Sequence, residues 1–199
     1  MTWFKVIALA IITGLITGIM MLIPAFKNTS FQDIGTYLEC WFLFAIFIIV
    51  NCRKWWEASL KCFVFFLISQ PLIYLVQVPF NSLGWGIFGY YKTWFIITLL
   101  TLPGAAIAFL LKRRDWLSVA VLSVPNIYLA LASYSYFVRA WNHYTSHGFP
   151  NHLLSAIFCL ALGFVFIKKL LNKNKHRTVA AIIFVSSFMA AAITRTAII

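Results

Sequence analysis

The stretch WFKVIALAIITGLITGIMMLIP, residues 3 to 24, contains one charged residue, Lys5. Crossing the ~30 Å hydrocarbon core of a bilayer takes about 20 helical residues, so this run is long enough to span. It is too long for the apolar region of a typical signal peptide. No small-x-small cleavage site follows it; IPAFKN leads instead into a polar loop, and the run is expected to stay as a helix. Ala10, Gly14 and Gly18 stand four apart within it. Small residues at that spacing form a face on which a second helix backbone approaches closely, either within the chain or on a partner subunit. Ser155, Cys159 and Gly163 form a second such stripe, available as the intramolecular mate.

The rest of the chain repeats the pattern. Of 199 residues, 63% are hydrophobic and 10% are charged, against about 25% charged in soluble domains. Water could not solvate such a fold, so lipid must. Apolar runs fall at Trp3–Pro24, Gly35–Val50, Leu60–Phe80, Thr93–Leu111, Trp116–Phe137, His152–Ile167 and Thr178–Ala197. Backbone groups cannot go unpaired in lipid, and the alternation of a barrel strand is absent, so the runs read as helices. The expectation is an all-α, polytopic integral membrane bundle of seven transmembrane helices, forming one domain over residues 1–199.

Net charge is +12, which raises nucleic acid as a partner. The cations sit in short clusters between apolar runs rather than on a polar face, and this excludes that reading. Lys5, Arg53, Lys54, Lys61, Lys112, Arg113, Arg114, Lys168, Lys169, Lys173, Lys175 and Arg177 fall on one side of a seven-pass topology; Lys27, Lys92, Arg139 and Arg195 fall on the other. The positive-inside rule puts the richer side in the cytoplasm, the N-terminus inside and the C-terminus outside. The membrane is then a plasma membrane, of bacterial type. Trp55 and Trp56 among Arg53, Lys54 and Lys61 suit a short interfacial segment beside anionic headgroups.

Two outer stretches are aromatic. NSLGWGIFGYYK, residues 81–92, carries Trp85, and VRAWNHYTSHGFPNH, residues 138–152, carries Trp141 and three histidines. They read either as covers over a ligand entering from outside or as interfacial anchors, where Trp and Tyr are favoured. His143 and His147 have helical i,i+4 spacing. Gly148 and Pro150 separate them from His152, and the stretch has no cysteine or carboxylate, so no metal site is expected. Cys40, Cys52, Cys62 and Cys159 show no CxxC spacing and read as free thiols.

The polar content of the middle segments is more informative. LISQPLIY, LTLPGAA and LSVPNIY place Pro71, Pro103 and Pro125 at similar depth, beside Ser69, Gln70, Tyr74, Thr101, Ser123 and Asn126. Proline frees a carbonyl one turn earlier, and in lipid that group needs a partner. A kinked polar layer at the midplane suits a ligand cavity. The alternative is that Gln70 and Asn126 only join helices by hydrogen bonds. Glu39, about a turn into the second run, joins the candidate ligand-binding set with Trp85 and Trp141. It is either a functional intramembrane carboxylate or an ordinary helix-start acid. Asp33, Glu57 and Asp115 read as loop residues.

No enzyme is expected. GxSxG is missing, no acid pair falls at mid-depth, and the last run has no lysine for a retinal-type cofactor, so none is implied. The chain is loosely similar to the substrate-binding membrane subunits of vitamin importers in size, aromatic outer stretches and small-residue first helix. Those subunits have six segments with both ends inside, which disagrees with seven. The reading that results is a bundle binding or transporting a small, partly apolar molecule through a midplane cavity open to the outer face. The alternative is a non-catalytic accessory or immunity-type subunit bound to another membrane protein or to its own copies.

Overall fold

The chain is helical, with 88% of it in helix and no strand among the described residues. The computed structural model describes residues 1–149 and 151–196. Pro150, the side chain of Arg195 and the end of the last apolar run at Ala197, all used above, lie outside the described residues. The α-helices are α1 (Trp3–Leu22), α2 (Ser30–Thr36), α3 (Leu38–Val50), α4 (Trp55–Gln77), α5 (Tyr91–Ala108), α6 (Trp116–His147), α7 (Leu153–Leu170) and α8 (Asn174–Thr196).

Among the described residues, six spans are long and apolar enough to cross a membrane: α1, Trp55–Phe80, Gly84–Arg113, α6, α7 and Asn174–Thr194. The second apolar run differs from its expected single pass. Gly35 and Thr36 are weak helix formers, and the backbone at Tyr37 is extended, which parts α2 from α3. α3 has 13 residues and rises roughly 20 Å at 1.5 Å per residue, short of the ~30 Å core. Helices α4, α5 and α6 run through Pro71, Pro103 and Pro125 without ending.

The chain folds into two compact units, Met1–Lys27 with Leu43–Phe109, and Asn28–Phe42 with Leu110–Ile199. In the first, α1 and α4 run parallel. The Lys61 ammonium lies over the Trp3 ring, Gly14 meets Ser69 and Leu72, Gly18 meets Ile73 and Val76, and Gln77 reaches Met21. The chain between them therefore travels back along the pair, and the Met1 amine donates to the Asn51 carbonyl where it arrives, at 3.0 Å. The glycine stripe is used on α4, and not on the Ser155–Cys159–Gly163 stripe: Gly163 faces the Phe184 ring of α8. Helix α5 is antiparallel to α4, with Ser59 Oγ donating to the Leu102 carbonyl at one end and Tyr74 beside Tyr91 at the other.

In the second unit α6 is the centre. Its start is fixed by Asp115, which accepts from the Ser118 N–H at 3.1 Å while its own N–H donates to Ser118 Oγ, a reciprocal cap. Desolvation works against the Asp115 charge, but the Ser118 N–H and the Arg113 guanidinium outweigh it and hold the carboxyl below the usual aspartate range. Helix α7 packs antiparallel, with Ser133 Oγ donating to the Ala156 carbonyl and the Tyr136 ring stacked on His152. Helix α8 runs parallel to α6, as Trp116 meets His176 and Tyr134 meets Phe188. The buried face of α6 reads Leu122, Asn126, Leu129, Ala130, Ser133, Tyr136 and Ala140, the i,i+3/i+4 stripe of a packed helix.

Helix α6 also continues past Phe137, where its apolar run ends. Arg139 to His147 are helical, and Gly148 closes the helix in the left-handed conformation (φ 81°), its N–H on the Tyr144 carbonyl. Glycine takes that conformation without a Cβ clash. The first half of the histidine stretch is thus a helix end rather than a loop.

Candidate functional site

Asp33, read as a loop residue, and Glu39, read as either a functional intramembrane carboxylate or a helix-start acid, are the centre of the second unit's polar chemistry. Helix α7 begins at Leu153 with no side-chain cap of its own. One of its orphan donors, the Ser155 N–H, is served by α2. Ser30 Oγ accepts from the Ser155 N–H at 3.2 Å and donates to the Asn151 carbonyl at 2.9 Å. Asp33 Oδ2 accepts from Ser155 Oγ at 2.9 Å and lies 2.6 Å from His152 Nδ1. Ser30, Asp33 and Ser155 are buried. A carboxylate at a helix N-terminus is favoured by the helix dipole, so Ser30 caps the Ser155 N–H and Asp33 places a negative charge beside the start of α7.

Glu39, at the first turn of α3, is buried at 3% exposure and does not reach an aqueous surface. Its Oε1 accepts from the hydroxyls of Tyr136 at 3.1 Å and Tyr128 at 3.4 Å. Its Oε2 has no hydrogen-bond partner among the described residues. The Arg139 guanidinium is 5.9 and 5.7 Å from the Tyr37 and Tyr136 ring centroids, a cation–π placement. Asp33, Glu39, Tyr128, Tyr136, His152 and Ser155 thus form one partly connected polar cluster. The i,i+8 tyrosines and the serine–acid spacing of Ser30 and Asp33 were the available signals for it. Neither is specific, because each acquires meaning only when α2 folds over α7.

Asn126 lies on the same buried stripe of α6. It is fully buried, and neither amide atom has a partner among the described residues.

In the first unit, Gln70 is buried and its Nε2 has no partner among the described residues; the same holds for Ser69 Oγ. Thr101 bonds back to the Thr98 carbonyl at 2.6 Å, the ordinary way a helix satisfies a threonine. Tyr74 joins Phe88 and Tyr91 in an aromatic cluster that Trp85 extends by stacking on Phe88. Trp85 is 70% exposed, and Trp141 of the second unit is 66% exposed beside Tyr144. The residues singled out from sequence therefore divide between the units: Gln70, Tyr74, Trp85 and Thr101 in the first, Glu39, Asn126 and Trp141 in the second.

The histidines do not converge. The His143 ring stacks on His147 at 4.4 Å; its Nδ1 donates to the Phe149 carbonyl and its Nε2 accepts from Asn151. His152 is committed to Asp33. Among the described residues no three His, Cys, Asp or Glu side chains gather as a metal set. None of the four cysteines is in a disulfide. Compared with known protein families, with curated proteins and with solved structures, the chain matches none.

Proposed function

We propose that the chain is a seven-pass plasma-membrane protein, of bacterial type, that binds or transports a small, partly apolar molecule reached from the outer face and performs no chemistry on it. The observation that carries this reading is Asn126, which is wholly buried with both amide atoms unpaired among the described residues. An asparagine serving to join helices would spend its amide on a neighbouring helix. An unpaired buried amide costs about 1–3 kcal/mol, and such groups call for a specific reason. A ligand offering one donor and one acceptor recovers the cost. Leu122 and Leu129, four before and three after Asn126 on the same buried stripe, suit an apolar ligand body. In the first unit the buried Gln70 has its Nε2 unpaired among the described residues.

The parallel register of α1 and α4 supports seven passes. Chain leaving α1 at one end of the pair and entering α4 at the other makes an odd number of crossings, with α3 as the short, broken one. Cations in a twelve-to-four distribution about that topology support a cytoplasmic N-terminus.

The test is native mass spectrometry of the purified chain released from detergent. A small non-covalent adduct is expected on the unmodified protein and is lost in Asn126→Leu. No adduct on the unmodified chain, together with a lowered melting temperature in Asn126→Leu, would overturn the reading in favour of an accessory subunit.

A further inference from the structure

We propose that the ends of α6 and α8 that meet at Trp116 and His176 bind the phosphate of an anionic phospholipid, whose acyl chains lie along exposed apolar stripes of the two helices. The site needs only that the chain sits in a bilayer, and is independent of the ligand placed at Asn126.

Eight of the chain's 16 lysines and arginines fall within residues 112–114 and 168–177, and no acid follows Asp115. Both stretches belong to the second unit, and folding brings them to one end of it. The Trp116 and His176 rings are 4.5 Å apart, and Lys175 Nζ lies 5.7 Å from the Trp116 ring centroid. Arg177 pins the turn before α8 by donating to the Leu171 carbonyl at 2.7 Å and the Lys168 carbonyl at 3.0 Å. This holds the last turn of α7, with Lys168 and Lys169, beside the first turn of α8. Asp115 is taken by Arg113 at 3.0 Å and by the cap of α6. Lys168, Lys169, Lys173 and Lys175 are left to be balanced from outside the chain.

The start of α8 sharpens the imbalance. A helix N-terminus favours negative charge, and α6 supplies its own in Asp115. Helix α8 has no acid in its first turn, where Lys175 and Arg177 stand instead. His176, in the same turn, is 3% exposed, and its Nδ1 has no hydrogen-bond partner among the described residues. A phosphate seated at this turn is opposite in sign to the dipole and the cations, and brings acceptor oxygens to it.

The faces that run on from these cations select the kind of anion. Ile182, Val185 and Met189, at i+7, i+10 and i+14 from Lys175, share its side of α8 and are exposed. On α6, Trp116 is exposed, and so are Val124, Ile127 and Leu131 on the same side. Cations and a tryptophan at the head of an apolar face match one phospholipid, with its phosphate at the rim and its chains against the helices. A soluble phosphate or an acidic peptide would use the cations and leave the stripes unused.

The probe is dioleoyl-phosphatidylglycerol, titrated onto the purified full-length chain in neutral detergent and counted by native mass spectrometry. One molecule per chain is expected to bind first. Dioleoyl-phosphatidylcholine, which has the same chains and a phosphate balanced by choline, should bind about tenfold more weakly. Lys173→Gln with Lys175→Gln should weaken the phosphatidylglycerol site about tenfold. Lys27→Gln with Lys92→Gln removes the same charge from the first unit and should leave that site nearly unchanged. All four lysines are exposed, so neither double variant disturbs the core. Equal binding of the two lipids or equal losses in the two variants overturns the proposal. Displacement of the lipid by equimolar inorganic phosphate or by a glutamate-rich peptide also overturns it, and marks a site for a soluble anion instead. Asn126→Leu should keep the bound phosphatidylglycerol, so this site and the transport reading fail separately.

Discussion

Gly14 of α1 lies so close to α4 that a Cβ on it would come within 2.8 Å of the Ser69 carbonyl oxygen and 3.2 Å of the Leu72 side chain. One turn on, a Cβ on Gly18 would meet the Val76 Cβ at 3.0 Å and the Ile73 carbonyl at 3.1 Å. Ala10, Thr13, Gly14, Thr17 and Gly18 are the buried stripe of α1, whereas Phe4, Ile7, Ile11 and Leu15 are exposed. Lipid gives no hydrophobic drive between helices, so this contact depends on close backbone approach.

Gly14→Ala should therefore destabilise the first unit by about 1–3 kcal/mol, the range for overpacking against atoms that cannot move away. Gly14→Leu should cost more. Gly89→Ala is the control, since a Cβ there meets nothing within 4 Å. Thermal melting in detergent reads all three; equal melting temperatures for Gly14→Ala and Gly89→Ala would count against the close contact.

The parallel pairing of α1 and α4 has a topological consequence. Lys27 follows α1, and Arg53 precedes α4. If α3 crosses, a cysteine placed at Lys27 is labelled by an impermeant thiol reagent from outside intact cells, and one placed at Arg53 is not. Positions 81–92 should label with Lys27, and 112–115 should be spared with Arg53. Labelling of both Lys27 and Arg53 from the same side would reduce the count to six.

The long spans were legible in the sequence because lipid demands about 20 apolar residues per pass, and α1, α4, α5, α6, α7 and α8 obey that length rule. The second apolar run showed no break because Gly35 and Thr36 are weak helix formers without being stop signals. The end of α6 was misjudged for a related reason. Apolarity ceases at Phe137, but helix continues to a glycine cap at Gly148, and hydropathy reports the solvent rather than the hydrogen-bond ladder. Asp33 looked like a loop acid because its partners, His152 and Ser155, are 119 and 122 residues away. Local sequence holds no record of such a pairing. Glu39 was legible as unusual by its place in an apolar run, and its burial depends on tyrosines 89 and 97 positions on.

Helix α2 works as an external cap on α7. Asp33→Ala leaves Ser155 Oγ and His152 Nδ1 without their acceptor and should cost about 1–3 kcal/mol. Ser30→Ala, which removes the acceptor for the Ser155 N–H, should cost about 1 kcal/mol. Hydrogen exchange localises the effect: the first turn of α7 should lose protection in both variants while α1 and α4 keep theirs. Uniform loss across the chain would mean that α2 supports the whole fold rather than that helix end.

His143 is occupied by protein partners on both ring nitrogens. His143→Ala with His147→Ala should leave the protein folded and remove no stoichiometric metal, with a stability loss of about 0.5–1.5 kcal/mol for the hydrogen bonding of His143. Elemental analysis of the purified protein and of the double variant checks this. A metal present at one per chain and lost in the variant would show that the stacked pair opens to bind it.

The sign of a stability change at Asn126 separates the two uses of a buried polar residue. If the amide joined helices, replacing it with leucine would lower the melting temperature, with roughly 0.6 kcal/mol lost per interhelical hydrogen bond. The structure has neither Asn126 Oδ1 nor Nδ2 bonded among the described residues, at zero exposure. Leucine has nearly the same size and no polar atom to leave unsatisfied. Asn126→Leu should therefore raise the melting temperature of ligand-free protein, recovering part of the about 1–3 kcal/mol that an unpaired buried amide costs. Asn126→Asp, which keeps the shape and adds a charge with no cation near it in the sequence of α6 short of Arg139, should lower it. Gln70→Leu tests the same logic in the first unit, where the Nε2 amide is unpaired. If the leucine variants are more stable and also lose the small adduct carried by the unmodified chain, the amides are held ready for a ligand. If they are less stable and any adduct remains, Asn126 and Gln70 join helices, and the binding reading loses the observation that carries it.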